Sequence, residues 1–229
     1  VIGVIGIMAL ILIPLSGTSK NANKYPSREV TVAASVSEEQ PSDKSKASAT
    51  YSASFEVLIK EALGTSVSSV TEEELGRFKY LSMRKGEAGW VITYSFENPI
   101  VAAEQGQDAD INVVVCQEAL ELQDIAALPQ LEYLNLDHTE LPEGSLETLS
   151  SLKMITCDYI QLDMLRLALG DAAKGLERLN ASHLKSLEEL SYFPGLKSLE
   201  MEDCREISDI SALAQVKDLE NLKLYDMDE

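Results

Sequence analysis

The side chains best suited to chemistry in this sequence are two histidines, His138 and His183, and three cysteines, Cys116, Cys157 and Cys204. The histidines are far apart in the chain, and no two cysteines form a Cys-x-x-Cys pair. A Gly-rich phosphate loop, a His-Glu-x-x-His motif and a nucleophile elbow are also missing from the sequence. We therefore expect the cysteines to be small buried hydrophobic residues. The sequence predicts no catalytic, metal or cofactor site, and a protein that is not an enzyme.

A leucine pattern of the form L-x-x-L-x-L recurs along the second half of the chain. Its five clear copies start at intervals of 21, 24, 20 and 23 residues, at Leu131, Leu152, Leu176, Leu196 and Leu219. A weaker copy starts at Ile111. Periods of about 20–29 residues with this pattern are typical of leucine-rich repeats, in which each x-L-x-L stretch is a short strand. The sequence predicts an α/β fold in which residues 110–229 form a leucine-rich-repeat solenoid of about six repeats, with a curved parallel sheet.

Alternation along these strands places every second side chain on the exposed, concave face of that sheet. The mixture of tyrosine, amide, hydroxyl and charged groups there suits recognition of a protein or a glycan. One column, Asp137, Asp158 and Glu202, could also hold a cation, although a solvated acidic surface is the simpler interpretation. The expected partner-binding residues are Tyr133, Asn135, Asp137, Met154, Thr156, Asp158, Arg178, Asn180, Glu200, Glu202, Asn221, Lys223 and Tyr225.

Residues 54–109 are expected to form a helical N-terminal cap with a β insertion. Phe55, Leu58 and Ile59 have helical spacing between Ser54, a candidate N-cap, and Gly64. A capping box at 71–74 predicts a second short helix that extends to Phe78. The segment 90–96 (WVITYSF) alternates and is β-prone, so we expect one strand there. Its aromatic side chains would either form a binding patch or, as we favour, pack against the first repeat.

Two stretches resemble the internalin-like leucine-rich-repeat proteins of bacterial surfaces. One is the motif SDISAL at 208–213, echoed by QDIAAL at 123–128, and the other is the segment 55–83. The resemblance implies a solenoid with a helical N-terminal cap that binds partners at a cell surface. The chain departs from the family at the inward asparagine ladder, because only Cys204 has a usual residue type at positions 119, 139, 160, 184, 204 and 227. The resemblance is therefore to a divergent member.

The start of the chain predicts export. Residues 1–15 (VIGVIGIMALILIPL) contain no charged side chain and match a signal-peptide core, or part of an anchor that holds the chain in a membrane. We favour the anchor, since no cleavage motif follows. Residues 16–53 are rich in Ser, Thr, Ala and Lys and are expected to form a disordered tether. No cap is visible after the last repeat, so we expect the native chain to continue there.

Charge narrows the range of partners. The chain carries a net charge of −19, and all of the acidic excess lies outside the tether, which has more basic than acidic residues. Nucleic acid needs clustered Lys and Arg and is therefore excluded as a partner. The sequence predicts an exported, surface-tethered module that binds a protein or glycan. The alternative is the sensory ectodomain of a larger membrane protein, with a cytoplasmic domain upstream of residue 1.

Overall fold

The computed structural model describes residues 51–136 and 141–227. The expected anchor at 1–15, almost all of the tether and the expected face residue Asp137 lie outside this part of the chain. The described residues form a mixed α/β fold around one eight-stranded sheet, with strand order β3-β2-β1-β4-β5-β6-β7-β8. Within these residues, no helix is long and apolar enough to cross a membrane.

Two short helices open the described chain. α1 (Ala53–Leu63) ends at Gly64, whose φ of 70° is left-handed, as expected for a helix end. Its N-cap is Ser52 and not Ser54, because the Ser52 side chain accepts a hydrogen bond from the Phe55 N–H while the Ser54 hydroxyl donates to the Glu118 carbonyl at 2.7 Å. The predicted capping box is present in α2 (Glu72–Leu75). That helix is one turn shorter than expected.

An antiparallel unit of three strands follows the helices, and it includes the segment that we expected to be the first repeat. β1 (Tyr80–Gly86) and β2 (Gly89–Ser95) form a hairpin, and β2 pairs antiparallel with β3 (Asn112–Cys116). The segment that begins at Ile111 is therefore an edge strand and not a sixth repeat. β1, which we expected to belong to a helical cap, takes the place beside β4.

The reason for this replacement is visible in the core. Leu81 and Met83 of β1 lie opposite Leu134 and Leu136 of β4, and all four side chains are at most 1% exposed. β1 thus supplies alternating apolar residues to the core beside β4. The predicted boundary at residues 109 and 110 falls inside the antiparallel unit, because β3 belongs with β1 and β2.

Five parallel strands make up the rest of the sheet. They are β4 (Tyr133–Leu136), β5 (Met154–Asp158), β6 (Arg178–Ser182), β7 (Ser198–Glu202) and β8 (Asn221–Tyr225). Each pairs with the next in a continuous parallel register. The connections contain helices α4 (Leu122–Ala126) and α5 (Leu162–Leu169) and three 3₁₀ segments, Gly170–Gly175, Glu188–Tyr192 and Ser211–Gln215.

One face of the parallel strands supplies a continuous apolar row. Ile155, Leu179 and Leu199 stand side by side in this row, and each is 0% exposed. Their counterpart in β8, Leu222, is 42% exposed, because β8 has a neighbour on only one side in the described chain. The row is therefore tightly packed at its centre and open at β8.

The aromatic segment at 90–96 forms β2, as predicted, with its last residue just beyond the strand. Its rings pack inward, since Tyr94 and Phe96 both lie against Phe78 with ring centroids 5.6 and 5.2 Å away. Tyr94 is 5% exposed. The segment therefore contributes to the core and not to a binding patch.

Candidate binding surface

The face of the parallel strands opposite the apolar row carries three rows of side chains, which we call the open face. The register of β4 to β8 aligns them across the sheet. The first row is Tyr133, Met154, Arg178, Ser198 and Asn221; the second is Asn135, Thr156, Asn180, Glu200 and Lys223; the third is Asp158, Ser182, Glu202 and Tyr225. The structure thus brings together the residues that alternation had placed on one face, apart from the undescribed Asp137.

The first row is covered in part by a helix that the sequence analysis missed. α3 (Pro99–Glu104) lies in the connection between β2 and β3, and its residue Ile100 packs against the cluster that Tyr133 and Met154 form with Tyr80 of β1. These two side chains are only 8% and 7% exposed. Our expectation that Tyr133 and Met154 are available to a partner is therefore wrong for this conformation, because α3 occupies their surface.

Two polar contacts also hold α3 on the sheet. The Glu104 carboxylate pairs with Arg178, an expected face residue. At the start of the helix, the Asn98 side chain caps the backbone N–H groups and its amide nitrogen donates to Glu132 Oε2 at 3.2 Å. An Asn-Pro pair at a helix start was a usable sequence signal for α3, since Asn is a good N-cap and Pro suits the first turn.

The covered tyrosines are neutral hydrogen-bonding groups. Tyr80 of β1 extends the first row, and its ring centroid lies 4.9 Å from that of Tyr133. Burial raises the pKa of Tyr80 to about 12. Burial also raises the pKa of Tyr133, although its contact with the Thr156 hydroxyl at 3.2 Å acts in the opposite direction. Neither phenol carries charge near neutral pH.

The second row is polar along its whole length. Asn135, Thr156 and Asn180 are half-buried and offer amide and hydroxyl groups in its first three positions. The row ends in an ion pair, in which Lys223 Nζ lies 3.2 Å from Glu200 Oε2. None of these side chains belongs to the apolar core, and the Thr156 hydroxyl and the Glu200–Lys223 pair have partners within the sheet.

The third row leads into a polar cluster at the ends of the strands. His183, one residue past β6, lies with Nδ1 2.8 Å from Asp158 Oδ1 and Nε2 3.1 Å from Asp203 Oδ2. Its ring stacks on Tyr159 at a centroid distance of 3.8 Å and an angle of 15°. Arg205 Nε lies 2.6 Å from the other oxygen of Asp203. We call Asp158, Tyr159, His183, Asp203 and Arg205 the strand-end cluster.

Left-handed backbone positions this cluster. Tyr159, His183, Asp203 and Asp226 each follow a parallel strand directly, and their φ angles are 58°, 57°, 54° and 48°. Non-glycine residues adopt such angles rarely. The repeated turn therefore brings the side chains after β5, β6 and β7 together. The sequence placed His183 one residue past a strand but gave no sign of this turn.

A cavity of about 350 Å³ adjoins the strand-end cluster. Most charged side chains in its wall form ion pairs with each other. Lys185 Nζ lies 3.3 Å from Glu206 Oε1, and Arg205 pairs with Asp203. Gln161 donates to the His183 carbonyl and accepts from the Lys185 N–H. The residues lining this cavity are Tyr159, Gln161, His183, Leu184, Lys185, Asp203, Arg205 and Glu206.

The three cysteines are buried, as expected, and none of them forms a disulfide. Burial raises the pKa of Cys157 to about 12 and also raises the pKa values of Cys116 and Cys204. All three are therefore thiols near neutral pH, and thiols are weak nucleophiles. Cys204 Sγ accepts a hydrogen bond from the Leu184 N–H at 3.3 Å and lies 3.3 Å from the Glu202 carbonyl, which suits the expected ladder position.

The polar groups of the open face do not assemble into a known catalytic or metal-binding arrangement. The Ser182 hydroxyl donates its hydrogen bond to Asp158 and not to His183. Ser182 and His183 are therefore not arranged as a nucleophile and its general base. Among residues 51–136 and 141–227, no three His, Cys, Asp or Glu side chains are placed to hold a metal ion. The acidic column considered above is broken by Ser182, which lies between Asp158 and Glu202.

Comparisons with known proteins add little to these observations. No family model matches the chain, and no curated protein matches it. Among solved structures, the chain is similar to the crystal structure of an internalin C2 from Listeria monocytogenes, with 16% sequence identity and a TM-score of 0.34. The similarity covers 72% of this chain and 90% of that one. A likeness at this level carries neither a fold nor a function from that protein to this one.

Proposed function

We propose that this chain is a leucine-rich-repeat solenoid with a helical N-terminal cap that binds a protein partner through its open face. The observation that carries the proposal is the alternation of core-facing and outward-facing side chains along β4 to β8. Alternate residues bury one apolar row, whereas the others align polar side chains that the core does not need. Five such strands, at intervals of 20 to 24 residues, provide a broad surface for recognition.

Charge on this surface favours a partner with basic groups. The second and third rows carry three carboxylates, Asp158, Glu200 and Glu202, against one ammonium group, Lys223. Glu202 is exposed, and Glu200 is only partly occupied by Lys223 because a carboxylate can accept more than one donor. Basic side chains of a partner would therefore pair with Glu200 and Glu202.

Export and tethering to a membrane belong to the same proposal and are supported by sequence alone, namely the apolar run at 1–15 and the polar segment at 16–53. An exported chain would be degraded by protease added to intact cells. Protection of the chain until the cells are lysed would contradict export.

Charge reversal on the open face tests the proposed function. We expect the double change Glu200→Lys and Glu202→Lys to lower the amount of partner captured by the tagged full-length chain at least about tenfold, because each lost charge pair and each new repulsion weakens binding. Captured proteins would be quantified by mass spectrometry from cells that make the protein.

The matched control reverses two exposed carboxylates in connecting segments, Glu147→Lys and Glu188→Lys. It changes the net charge equally but leaves the open face intact. Equal losses from both double variants would show a general charge effect and would contradict the proposal. Capture that is abolished by glycosidase treatment of the extract would assign the open face to a glycan instead.

A further inference from the structure

α3 occupies a patch of the open face that is separate from the main core. The patch consists of Tyr80, Tyr133 and Met154, which form their own apolar cluster, and of Arg178 beside them. None of the three apolar side chains belongs to the main core cluster. Moving α3 away would uncover this patch and leave the main core packed.

Few contacts hold α3 on the sheet. The helix has six residues, which is too short to be stable without packing. Ile100 packs against the patch, and Pro99 and Ala102 are also buried, but their side chains are small and bury little apolar area. The Glu104–Arg178 ion pair is 54% and 36% exposed on its two sides, and ion pairs at such exposure contribute little. The next residue after Ile100, Val101, already points to solvent with 42% exposure.

The patch has the composition of a protein-binding hot spot. Tyrosine, methionine and arginine are enriched at the centres of interfaces, where they fill desolvated contacts. The two phenols are neutral and buried, so a partner would cover them without having to remove a charge from water. In the structure, which we call the closed arrangement, α3 covers the patch with an aliphatic side chain, Ile100, and a carboxylate, Glu104.

We propose that α3 is a displaceable internal occupant of the open face, and that the patch beneath it receives a partner helix with an aliphatic side chain and a carboxylate four residues later. Ile100 and Glu104 have this spacing, which places them on one side of a helix. The aliphatic group would take the position of Ile100 against the cluster of Tyr80, Tyr133 and Met154, and the carboxylate would pair with Arg178. This inference rests on the proposed function and names the partner chemistry of the first row.

The test uses the full-length chain and a labelled peptide of residues 97–106 (ENPIVAAEQG) as the probe. Ile100→Asp would release α3, because the patch offers the new carboxylate no partner in place of the lost apolar contact. Val101→Asp places the same charge on the exposed side of the same helix and is the matched control. In the intact protein, the tethered α3 competes with the peptide at an effective concentration in the millimolar range.

We expect the peptide to bind the Ile100→Asp variant at least about tenfold more tightly than the wild type or the Val101→Asp variant, as measured by fluorescence anisotropy. Adding Arg178→Glu should abolish that gain. Spectroscopic titration of tyrosine should show the pKa of Tyr80, about 12 in the closed arrangement, falling towards about 10 in the Ile100→Asp variant alone. A Tyr80→Phe background identifies the group.

Glu104→Arg provides a second route to release, through repulsion from Arg178 and without a charge in the apolar contact, if Ile100→Asp prevents folding. Equal peptide binding by wild type and released variants would overturn the inference, as would no binding to a variant whose Tyr80 has become accessible. Because this test uses no natural partner, its failure leaves the proposed function standing. Failure of the charge-reversal test on Glu200 and Glu202 would instead refute the proposed function.

Discussion

Replacing Leu199 with alanine should lower the free energy of unfolding by about 3–5 kcal/mol, whereas the same replacement at Leu222 should cost about 1 kcal/mol or less. The two leucines lie opposite each other in neighbouring strands, β7 and β8. Leu199 is 0% exposed, and Leu222 is 42% exposed. Truncation at Leu199 therefore leaves a cavity between two packed strands, while truncation at Leu222 removes a side chain that is largely in water.

This pair tests the stacked core directly, because chemistry, strand position and sheet face are the same in both variants. Denaturation of the full-length chain, followed by circular dichroism, gives both free energies. Similar losses for the two variants would mean that β8 is covered or that β7 is not packed as described. Leu179→Ala, in the same row and also 0% exposed, should match Leu199→Ala.

The second large effect is expected at Asp124, a carboxylate that is 0% exposed. Its Oδ1 accepts from the Ser52 N–H at 3.1 Å, and its Oδ2 accepts from the Ser52 hydroxyl at 2.5 Å and from the Glu121 N–H at 2.8 Å. One side chain therefore joins the start of α1 to the start of α4. We expect Asp124→Ala to lower the free energy of unfolding by about 3–4 kcal/mol, because it removes three hydrogen bonds to one buried, charged acceptor.

Asp163→Ala is the matched control for this prediction. Asp163 also lies in the first turn of a helix, α5, but it is exposed, and its side chain accepts a hydrogen bond from the neighbouring Met164 N–H. Thermal or chemical unfolding should show a loss of about 1 kcal/mol or less for this variant. If Asp124→Ala were equally mild, the link between α1 and α4 would not hold the N-terminal helix to the sheet.

Much of the parallel sheet could be predicted from the sequence. The x-L-x-L alternation fixes which side chains point inward, and a near-constant interval fixes the register, so the rows of β4 to β8 follow directly from Leu131 onward. The cysteines could be predicted for the same reason, since Cys157 occupies an inward strand position.

The antiparallel unit could not be placed in the same way. The stretch 111–116 matches the repeat pattern, but the pattern does not encode the direction of a strand or its neighbour in the sheet. β1 could not be predicted as a strand because Phe78 and Leu81 also fit helical spacing. Only the alternation of Leu81 with Met83 favours a strand. Tertiary pairing with β2 and β4 decides between the two.

The open face was predicted only as an uncovered surface. Its alternation was correct, but a helix of six residues lies below the length at which periodicity identifies a helix, and α3 was marked only by Asn98 and Pro99. The strand-end cluster was missed for another reason. At Tyr159, His183 and Asp203, the left-handed backbone accompanies a hydrogen bond from each N–H to the end of the next strand, and these three residue types share no sequence motif.

The central claim is that the open face is the surface that binds the partner. The most direct measurement is photo-cross-linking with a photoreactive residue placed at Asn180, at the centre of the second row, or at Ser191, an exposed position between Leu190 and the next strand. We expect the full-length chain to form a discrete cross-linked product from Asn180 in the cells that make it, and none from Ser191. A product from Ser191 with none from Asn180 would contradict the claim.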